Sequence, residues 1–266
     1  MLNKLSEEDF AVLRGPFESG RQSPNMLSKV LLLTAVLQWI LFVGVYIPLA
    51  YDSIFPYKRT IFYIHLAFAI LLTLLSIIYA IRKIYIKSQR IQYIILIIMS
   101  QNLGGILLFI GSLFILGSKV KKDSINMLII LTYALLAIGL LIFVLTCIRF
   151  YKLLKKGEYR KGSKKDFWRL KLEKGSLTPL MIGLGIFLVS IVNFLIRTDV
   201  FDHTDDIMEI VFVFIGFLLF YTMLFFLPEQ LVILYCKWRF ESFNYDEEGQ
   251  LKPMGSGDRL ERTSVC

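Results

Sequence analysis

The chain has 266 residues, 56% of them hydrophobic and 19% charged, and a formal net charge of +9. Soluble domains average about 45–50% apolar and about 25% charged residues, so this composition excludes disordered chains, collagens and disulfide-rich secreted domains, and it argues against a soluble enzyme. The apolar residues fall in six nearly uncharged blocks of the length that a bilayer core requires, about 17 to 25 residues, which predicts an integral membrane protein.

The segment before the first apolar block is expected to contain a short helix that lies at the membrane surface. Ser6 and Asp9 fit a capping box, in which two side chains bond to the free backbone groups at the start of a helix. Phe10, Leu13 and Phe17 follow at spacings of three and four, which places them on one apolar face. A frayed tail is the alternative.

The six apolar blocks are predicted to be membrane-spanning helices. Lipid offers no hydrogen-bond partner to backbone groups, and the blocks do not alternate as the strands of a barrel would, so each one must be helical. The predicted fold class is all-α, a polytopic membrane helix bundle. Its parts are an N-terminal segment at 1–29, spans at 30–50, 61–81, 91–117, 125–148, 177–196 and 207–236, a basic loop at 149–176 and a largely flexible tail at 237–266.

Lysine and arginine residues are distributed unequally among the connecting segments. The N-terminal segment, the second and fourth connections and the tail hold 24 of the 30 cations, and the other three connections hold 6. Cationic loops are retained in the cytoplasm, so both termini are predicted to be cytoplasmic. No cysteine falls in a predicted outer loop, so no structural disulfide is expected.

The fourth connection, residues 149–176, holds eleven cations and a net charge of +8. A cation beside a span gains about 1 kcal/mol from anionic lipid, so we expect this loop to bind anionic lipids of the inner leaflet. An acidic protein partner is the alternative, and nucleic acid is not an expected partner. The predicted lipid-binding or partner-binding residues are Arg149, Lys152, Lys155, Lys156, Lys164, Lys165, Trp168, Arg169 and Lys171.

Few polar side chains fall at membrane depth, where they are costly unless they face protein or water. Gln38, Gln101 and Asn102 lie about 12 to 15 Å from the cytoplasmic end at 1.5 Å per residue, so they can meet inside the bundle. Interhelical hydrogen bonding is the expected role, and an ion or substrate path through a helix broken at Asn102-Leu-Gly-Gly is the alternative. The intramembrane polar candidates are Gln38, His65, Gln101, Asn102, Asn193 and Glu229.

The sixth span has its own predicted interruption at Pro228, beside Glu229. At 1.5 Å per residue Glu229 lies about 33 Å from the outer end of the span, so it is placed at the inner interface. There it is expected to pair with a lysine or arginine. The two interruptions differ in depth, which argues against the matched broken helices of inverted-repeat transporters.

The last outer loop combines His203 with five carboxylates within eleven residues, the last of them Glu209. Imidazole and carboxylates can bind divalent cations, but a solvated acidic loop is the expected state because no metal-ligand spacing is present. No catalytic motif is found, so no catalytic residue, cofactor or metal is assigned. A metal-dependent intramembrane enzyme that joins His65 with His203 is kept as the second alternative function.

The segment that reads Phe-Leu-Pro-Glu-Gln-Leu through Lys-Trp-Arg-Phe-Glu-Ser-Phe, with the size, hydropathy and composition of the whole chain, resembles a group of small multi-pass membrane proteins. These are proteins of unknown function encoded beside Gram-positive secretion and toxin–immunity systems. The resemblance implies a bacterial plasma-membrane protein that protects the membrane from a secreted toxin or assists an export machine. It would act without catalysis, through a membrane-protein partner or a homo-oligomer. A small-solute transporter or channel is the first alternative.

Overall fold

The computed structural model describes residues 2–119, 125–167 and 204–255. These residues are mainly helical, and five helices have the length and apolar composition needed to cross a membrane. The expectation of an all-helical membrane protein is therefore confirmed in its coarse form, while the predicted fifth span, 177–196, lies outside the described residues. The five helices are α1 Pro24–Asp52, α2 Lys58–Ile78, α3 Gln89–Lys119, α4 Ile125–Lys155 and α5 Thr204–Arg239.

Several helices extend beyond the apolar blocks that predict them. α1 begins at Pro24, ahead of the predicted start at Val30, because Ser23 caps it: its hydroxyl accepts a hydrogen bond of 3.4 Å from the Met26 N–H. Proline is tolerated in the first helical turn, where its missing N–H has no helical partner to lose. α4 likewise continues past Ile148 into the basic loop. Hydropathy therefore marks the bilayer core but not the ends of the helices.

Two of the helices contain a wider turn with π geometry. The turn in α1 covers Val45–Leu49 and includes Pro48, and the turn in α3 covers Asn102–Ile106. α3 remains helical on both sides of its π turn, and α5 continues through Pro228. Neither predicted interruption therefore breaks its helix. A π turn changes the rotation of the helix about its axis, so side chains on the two sides of it face different neighbours.

α3 is the central helix of the described bundle, packing against α1, α2 and α5, and α5 also packs against α4. Small residues allow the close approach of α3 and α5. A Cβ atom at Gly216 would overlap the Ser112 hydroxyl and lie 3.0 Å from the Leu108 carbonyl oxygen. A Cβ atom at Gly104 would lie 3.1 Å from the sulfur of Met223. Such contacts are the usual means by which helices associate in lipid.

The residues before α1 and after α5 pack together at one end of the bundle. We call this assembly the terminal cap and the end that carries it the capped end. The cap rests on the ends of α3, α4 and α5, so the start of the chain, its tail and the segment after α4 lie on the same side. The cap and the helix ends beneath it share one cluster of buried apolar side chains, which are Phe10, Val12, Leu13, Phe17, Leu27, Tyr93, Ile97, Leu154, Tyr159, Ile233, Cys236, Phe243 and Tyr245.

The N-terminal segment is helical, but its apolar face is covered by protein. The Asp9 carboxylate accepts a hydrogen bond of 2.8 Å from the Ser6 N–H, which belongs to the predicted capping box, and a second one of 3.1 Å from the Ser6 hydroxyl. Phe10, Leu13 and Phe17 are 0, 3 and 1% exposed. The sequence pattern identified the face that is buried, and the terminal cap, in place of a lipid surface, buries it.

The tail is folded as far as the structure describes it, which differs from the predicted flexible segment. A 3-10 helix covers Glu241–Phe243, and an antiparallel bridge joins Tyr245 to Leu251 across a turn that contains Gly249. The backbone of Gly249 has a φ of +86°, a conformation in which L side chains are strained. Phe243 and Tyr245 of the tail are 0 and 6% exposed and fill the terminal cap, because the N-terminal segment offers them an apolar surface.

Candidate functional site

A chain of hydrogen-bonded polar side chains joins α1, α2 and α3. Asn102 donates from Nδ2 to Gln38 Oε1 at 2.9 Å, and its Oδ1 lies 2.9 Å from His65 Nε2. His65 Nδ1 lies 2.9 Å from the Tyr46 hydroxyl. Gln38 and Asn102 are fully buried, and His65 and Tyr46 are 5 and 7% exposed. We call these four residues the polar core.

One backbone carbonyl fixes the direction of every hydrogen bond in the polar core. Gln38 Nε2 lies 3.0 Å from the carbonyl oxygen of Ala69, which can only accept, so Gln38 Oε1 faces Asn102. Asn102 must then donate to Gln38 and accept from His65. The His65 ring therefore carries its proton on Nε2, and Nδ1 accepts from the Tyr46 hydroxyl. A neutral imidazole satisfies the whole set.

Thr73 extends the polar core along α2. Its hydroxyl donates to the Ala69 carbonyl at 2.8 Å and accepts from Gln38 Nε2 at 3.2 Å and from Trp39 Nε1 at 3.0 Å. Sequence reasoning missed Thr73, Trp39 and Tyr46, although His65, Ala69 and Thr73 are spaced by four and so share one face of α2. This face presents a donor or acceptor to α1 at each turn.

Gln101 does not join the polar core, although it precedes Asn102. Its Nε2 donates to the Met223 carbonyl and to Gln230 Oε1, both at 3.2 Å, on α5. Successive residues of a helix are rotated by about 100°, so these neighbouring amides face different helices. The sequence predicts that these three amides lie at a similar depth. Of them, Gln38 and Asn102 form a hydrogen bond with each other, whereas Gln101 lies on the other side of α3 and bonds to α5.

Glu229 borders a cavity of about 150 Å³ between α4 and α5 at the capped end. The cavity is also lined by Arg149, Tyr159 and Lys165. Lys165 Nζ lies 2.5 Å from the Tyr159 hydroxyl and 3.8 Å from the centre of its ring, and the Arg149 guanidinium lies 5.6 Å from the centre of the Phe225 ring. We call this site the α4–α5 cavity.

The Glu229 carboxylate has no direct partner among the described residues. The positive charge of Lys165 acts on it across the cavity, but neither Lys165 nor Arg149 forms an ion pair with it in that part of the chain. Burial lowers the pKa of Lys165 below its ordinary value, and the negative charge of Glu229 opposes that change. The pairing that the sequence predicts for Glu229 is therefore not a direct contact.

The other predicted cationic residues divide into two groups. Lys152, Lys155, Lys156 and Lys164 are exposed at the capped end, where they can meet lipid headgroups or a partner. The second group, Trp168, Arg169 and Lys171, lies outside the described residues. The predicted polar residue Asn193 and the loop residue His203 also lie outside them.

Lys237 is a buried basic side chain that sequence reasoning did not single out. The residue is 1% exposed, and its Nζ donates to the Phe243 carbonyl at 2.8 Å. The ammonium lies 4.6 Å from the centre of the Phe17 ring and 5.7 Å from that of Tyr93. In the charged form of a lysine, a desolvated ammonium over an aromatic face gains about 2 kcal/mol. Lys237 thus joins α5, the N-terminal segment, α3 and the tail at one point.

Two carboxylates of the terminal cap have lowered pKa values. Burial raises the pKa of Asp9, but hydrogen bonds from Arg160 and Ser6 outweigh it, so the pKa lies below its ordinary 3.8. The pKa of Glu241 lies below its ordinary 4.5, mainly because Lys252 donates a hydrogen bond of 2.6 Å to it. Both groups are therefore charged at neutral pH.

Neither a metal-binding group nor a similar known protein indicates a function for these sites. Among the residues that the structure describes, no group of three or more His, Cys, Asp or Glu side chains is placed to hold a metal ion. No protein-family model, curated protein or solved structure matches the chain.

Proposed function

We propose that this chain is a non-catalytic integral membrane protein that acts by binding another membrane protein, as an accessory or immunity-type component of a bacterial secretion or toxin system. The polar core is the observation that supports this proposal. The hydrogen bonds of this core are formed among Gln38, His65 and Asn102, with the Tyr46 hydroxyl, and with a backbone carbonyl of α2. These side chains therefore hold the helices together. A partner would then bind to the outer, membrane-facing surface of the bundle.

α4 offers a broad surface for such a partner. Among its residues Met127, Ile130 and Tyr133 are 73, 68 and 69% exposed, and Leu140 and Leu141 continue the apolar surface at 64 and 57%. Residues at spacings of three and four share a helix face. Interfaces between membrane helices form by packing of such faces, so a partner helix can bind along α4 in place of lipid.

The proposed topology is six spans with both termini in the cytoplasm. The excess of cations in the N-terminal segment, the tail and alternate connections supports this orientation. The positions of the residues before and after the interval 168–203 support the number of spans. Lys165 lies at the capped end, while Glu209 of α5 lies at the opposite end, 2.9 Å from Lys119 Nζ at the end of α3. The described residues that flank the interval 168–203 therefore lie at opposite ends of the bundle, and the sequence of that interval contains the apolar block 177–196.

Site-specific photo-crosslinking in native membranes tests the partner proposal. A photoreactive residue at the exposed Tyr133 should yield an adduct with a second membrane protein, whereas the same residue at Leu128, which is 3% exposed, should not. Repeated recovery of lipid adducts alone from Tyr133 would contradict the proposal. Reporter fusions at Lys156 and in the loop at 53–57 test the topology, and an external reporter at Lys156 would reverse it.

A transporter or channel is the second candidate, and one observation favours it. A cavity of about 410 Å³ at the end opposite the cap is lined by Tyr46, Lys58 and Arg59. Because Tyr46 is bonded to His65, the polar core begins at this cavity. Ion and solute flux in liposomes, measured with the native chain and with His65→Gln, tests this candidate. Flux equal to that of empty liposomes rejects it.

A further inference from the structure

We propose that the α4–α5 cavity binds the headgroup of a phospholipid that carries both a phosphate and a primary amine, a phosphoethanolamine headgroup. The proposal concerns a bound lipid and does not depend on the protein partner proposed above. It rests on the position of the cavity and on the charges around it, in particular those of Arg149, Lys165 and Glu229.

The cavity lies where a lipid headgroup would be. Arg149 follows directly after the apolar block of α4, and Glu229 lies near the same end of α5. On the same stretch of α5 the side chains of Phe225 and Phe226 are 43 and 49% exposed, so an acyl chain can cover them while the headgroup enters the cavity. Aromatic rings and cations at this level are typical of the bilayer interface.

The two cations are suited to a phosphate. The Arg149 guanidinium stacks near Phe225, and its N–H groups have no hydrogen-bond acceptor among the described residues. A guanidinium presents paired donors that match phosphate geometry. Lys165 uses one of its three N–H donors on Tyr159, which holds the ammonium at the cavity wall and leaves two donors for the ligand.

Glu229 selects for the amine. A half-buried carboxylate without a direct partner is costly, and a primary ammonium would supply both a counter-charge and N–H donors. A phosphoglycerol headgroup brings only negative charge and would repel Glu229. A phosphocholine headgroup brings positive charge but no N–H. The expected order of binding is therefore phosphatidylethanolamine first, then phosphatidylcholine and phosphatidylglycerol.

Native mass spectrometry of the full chain, released from mixed vesicles of equal phosphatidylethanolamine, phosphatidylcholine and phosphatidylglycerol, tests the proposal. The native chain should retain phosphatidylethanolamine over phosphatidylglycerol, and Glu229→Gln should lower that ratio by at least about tenfold, since a charged hydrogen bond is worth about 1.5–3 kcal/mol and 1.4 kcal/mol is tenfold. Arg149→Gln should reduce retention of all three lipids. Glu209→Gln, which removes a carboxylate at the opposite end, should leave the ratio unchanged.

Three outcomes would overturn the proposal. The first is a native chain that shows no preference or prefers phosphatidylglycerol. The second is a Glu229→Gln chain that keeps the native ratio while retaining lipid, since retention shows that it is folded. The third comes from competition with soluble ligands: phosphoethanolamine should displace the retained lipid, and displacement by inorganic phosphate at the same concentration would show a simple phosphate site.

Discussion

Gln38 and Asn102 lie 64 positions apart in the chain and are joined by a hydrogen bond of 2.9 Å at the meeting point of α1 and α3. Asn102 is also the first residue of the π turn of α3. Its amide thereby contacts α1 through the nitrogen and α2 through the oxygen. Each polar group of the polar core depends on the next, because no water is available at this depth to replace a lost partner.

Replacing Asn102 by leucine should destabilise the bundle more than replacing Gln101 by leucine. Asn102→Leu leaves Gln38 Oε1 and the His65 Nε2–H without partners, and each buried unsatisfied group costs about 1–3 kcal/mol. Gln101→Leu removes hydrogen bonds of 3.2 Å at a partly buried site. Thermal unfolding of the purified proteins in the same detergent provides the comparison. Equal unfolding temperatures would show that the polar core adds nothing to stability.

Gly216→Ala should loosen the contact between α3 and α5. The added Cβ would overlap the Ser112 hydroxyl, and the nearby Leu108 carbonyl cannot move without disturbing α3. Ser112→Ala in the same chain should recover part of the loss. Gly44→Ala is the matched control, because a Cβ at Gly44 meets no atom of another helix within 4 Å. That change should raise stability by about 0.5–1 kcal/mol, and a loss of similar size in both glycine variants would contradict the packing argument.

Gln89→Leu should release the tail from the terminal cap. The Gln89 amide donates to the Tyr245 carbonyl at 2.8 Å and accepts from the Tyr245 N–H at 2.9 Å. Both backbone groups would lose a buried partner, at a cost of about 1–3 kcal/mol each. Faster chymotrypsin cleavage after Tyr245, which is 6% exposed in the cap, reports the release, and Gln250→Leu in the exposed turn is the control. Equal cleavage rates in the two variants would mean that Gln89 does not hold the tail.

Acid should weaken the terminal cap. A carboxylate whose folded pKa is lowered contributes stability at pH above its ordinary pKa, and that contribution is lost as the pH falls through the folded value. For Asp9 and Glu241 the loss should begin near their ordinary values of 3.8 and 4.5 and continue below them. Hydrogen exchange of residues 7–14, corrected for intrinsic rates, should rise across this range. Asp9→Asn should flatten the rise, and an unchanged profile would assign it to other groups.

The sequence predicts the spans because hydropathy is a local property, and it predicts that Gln38 and Asn102 lie at one depth. It cannot decide which of Gln101 and Asn102 faces α1, because that depends on the rotation of α3 through its π turn. The terminal cap is beyond local patterns for a different reason. Phe10, Leu13 and Phe17 define an apolar face, but lipid and protein would bury such a face equally well.

The sequence singles out charged residues that line the α4–α5 cavity, but it does not predict that they lie together. Positive-inside counting identifies Arg149 and Lys165 as interfacial cations, and depth identifies Glu229. That the three line one cavity depends on the turn after α4, where Tyr159 is buried and its backbone carbonyl accepts from the Val12 N–H at 2.8 Å. No spacing in the sequence encodes that contact.

The terminal cap joins segments of the chain that are made far apart in time during translation. The Tyr245 hydroxyl donates to the Phe17 carbonyl at 2.7 Å across 228 positions. While the nascent chain is being inserted, Phe17 can meet Tyr93 of α3, but it lacks the rest of its native covering until Phe243 and Tyr245 have been made. A product that ends before Phe243 would leave that aromatic segment partly uncovered, so closure of the cap distinguishes chains that contain the tail from chains that lack it.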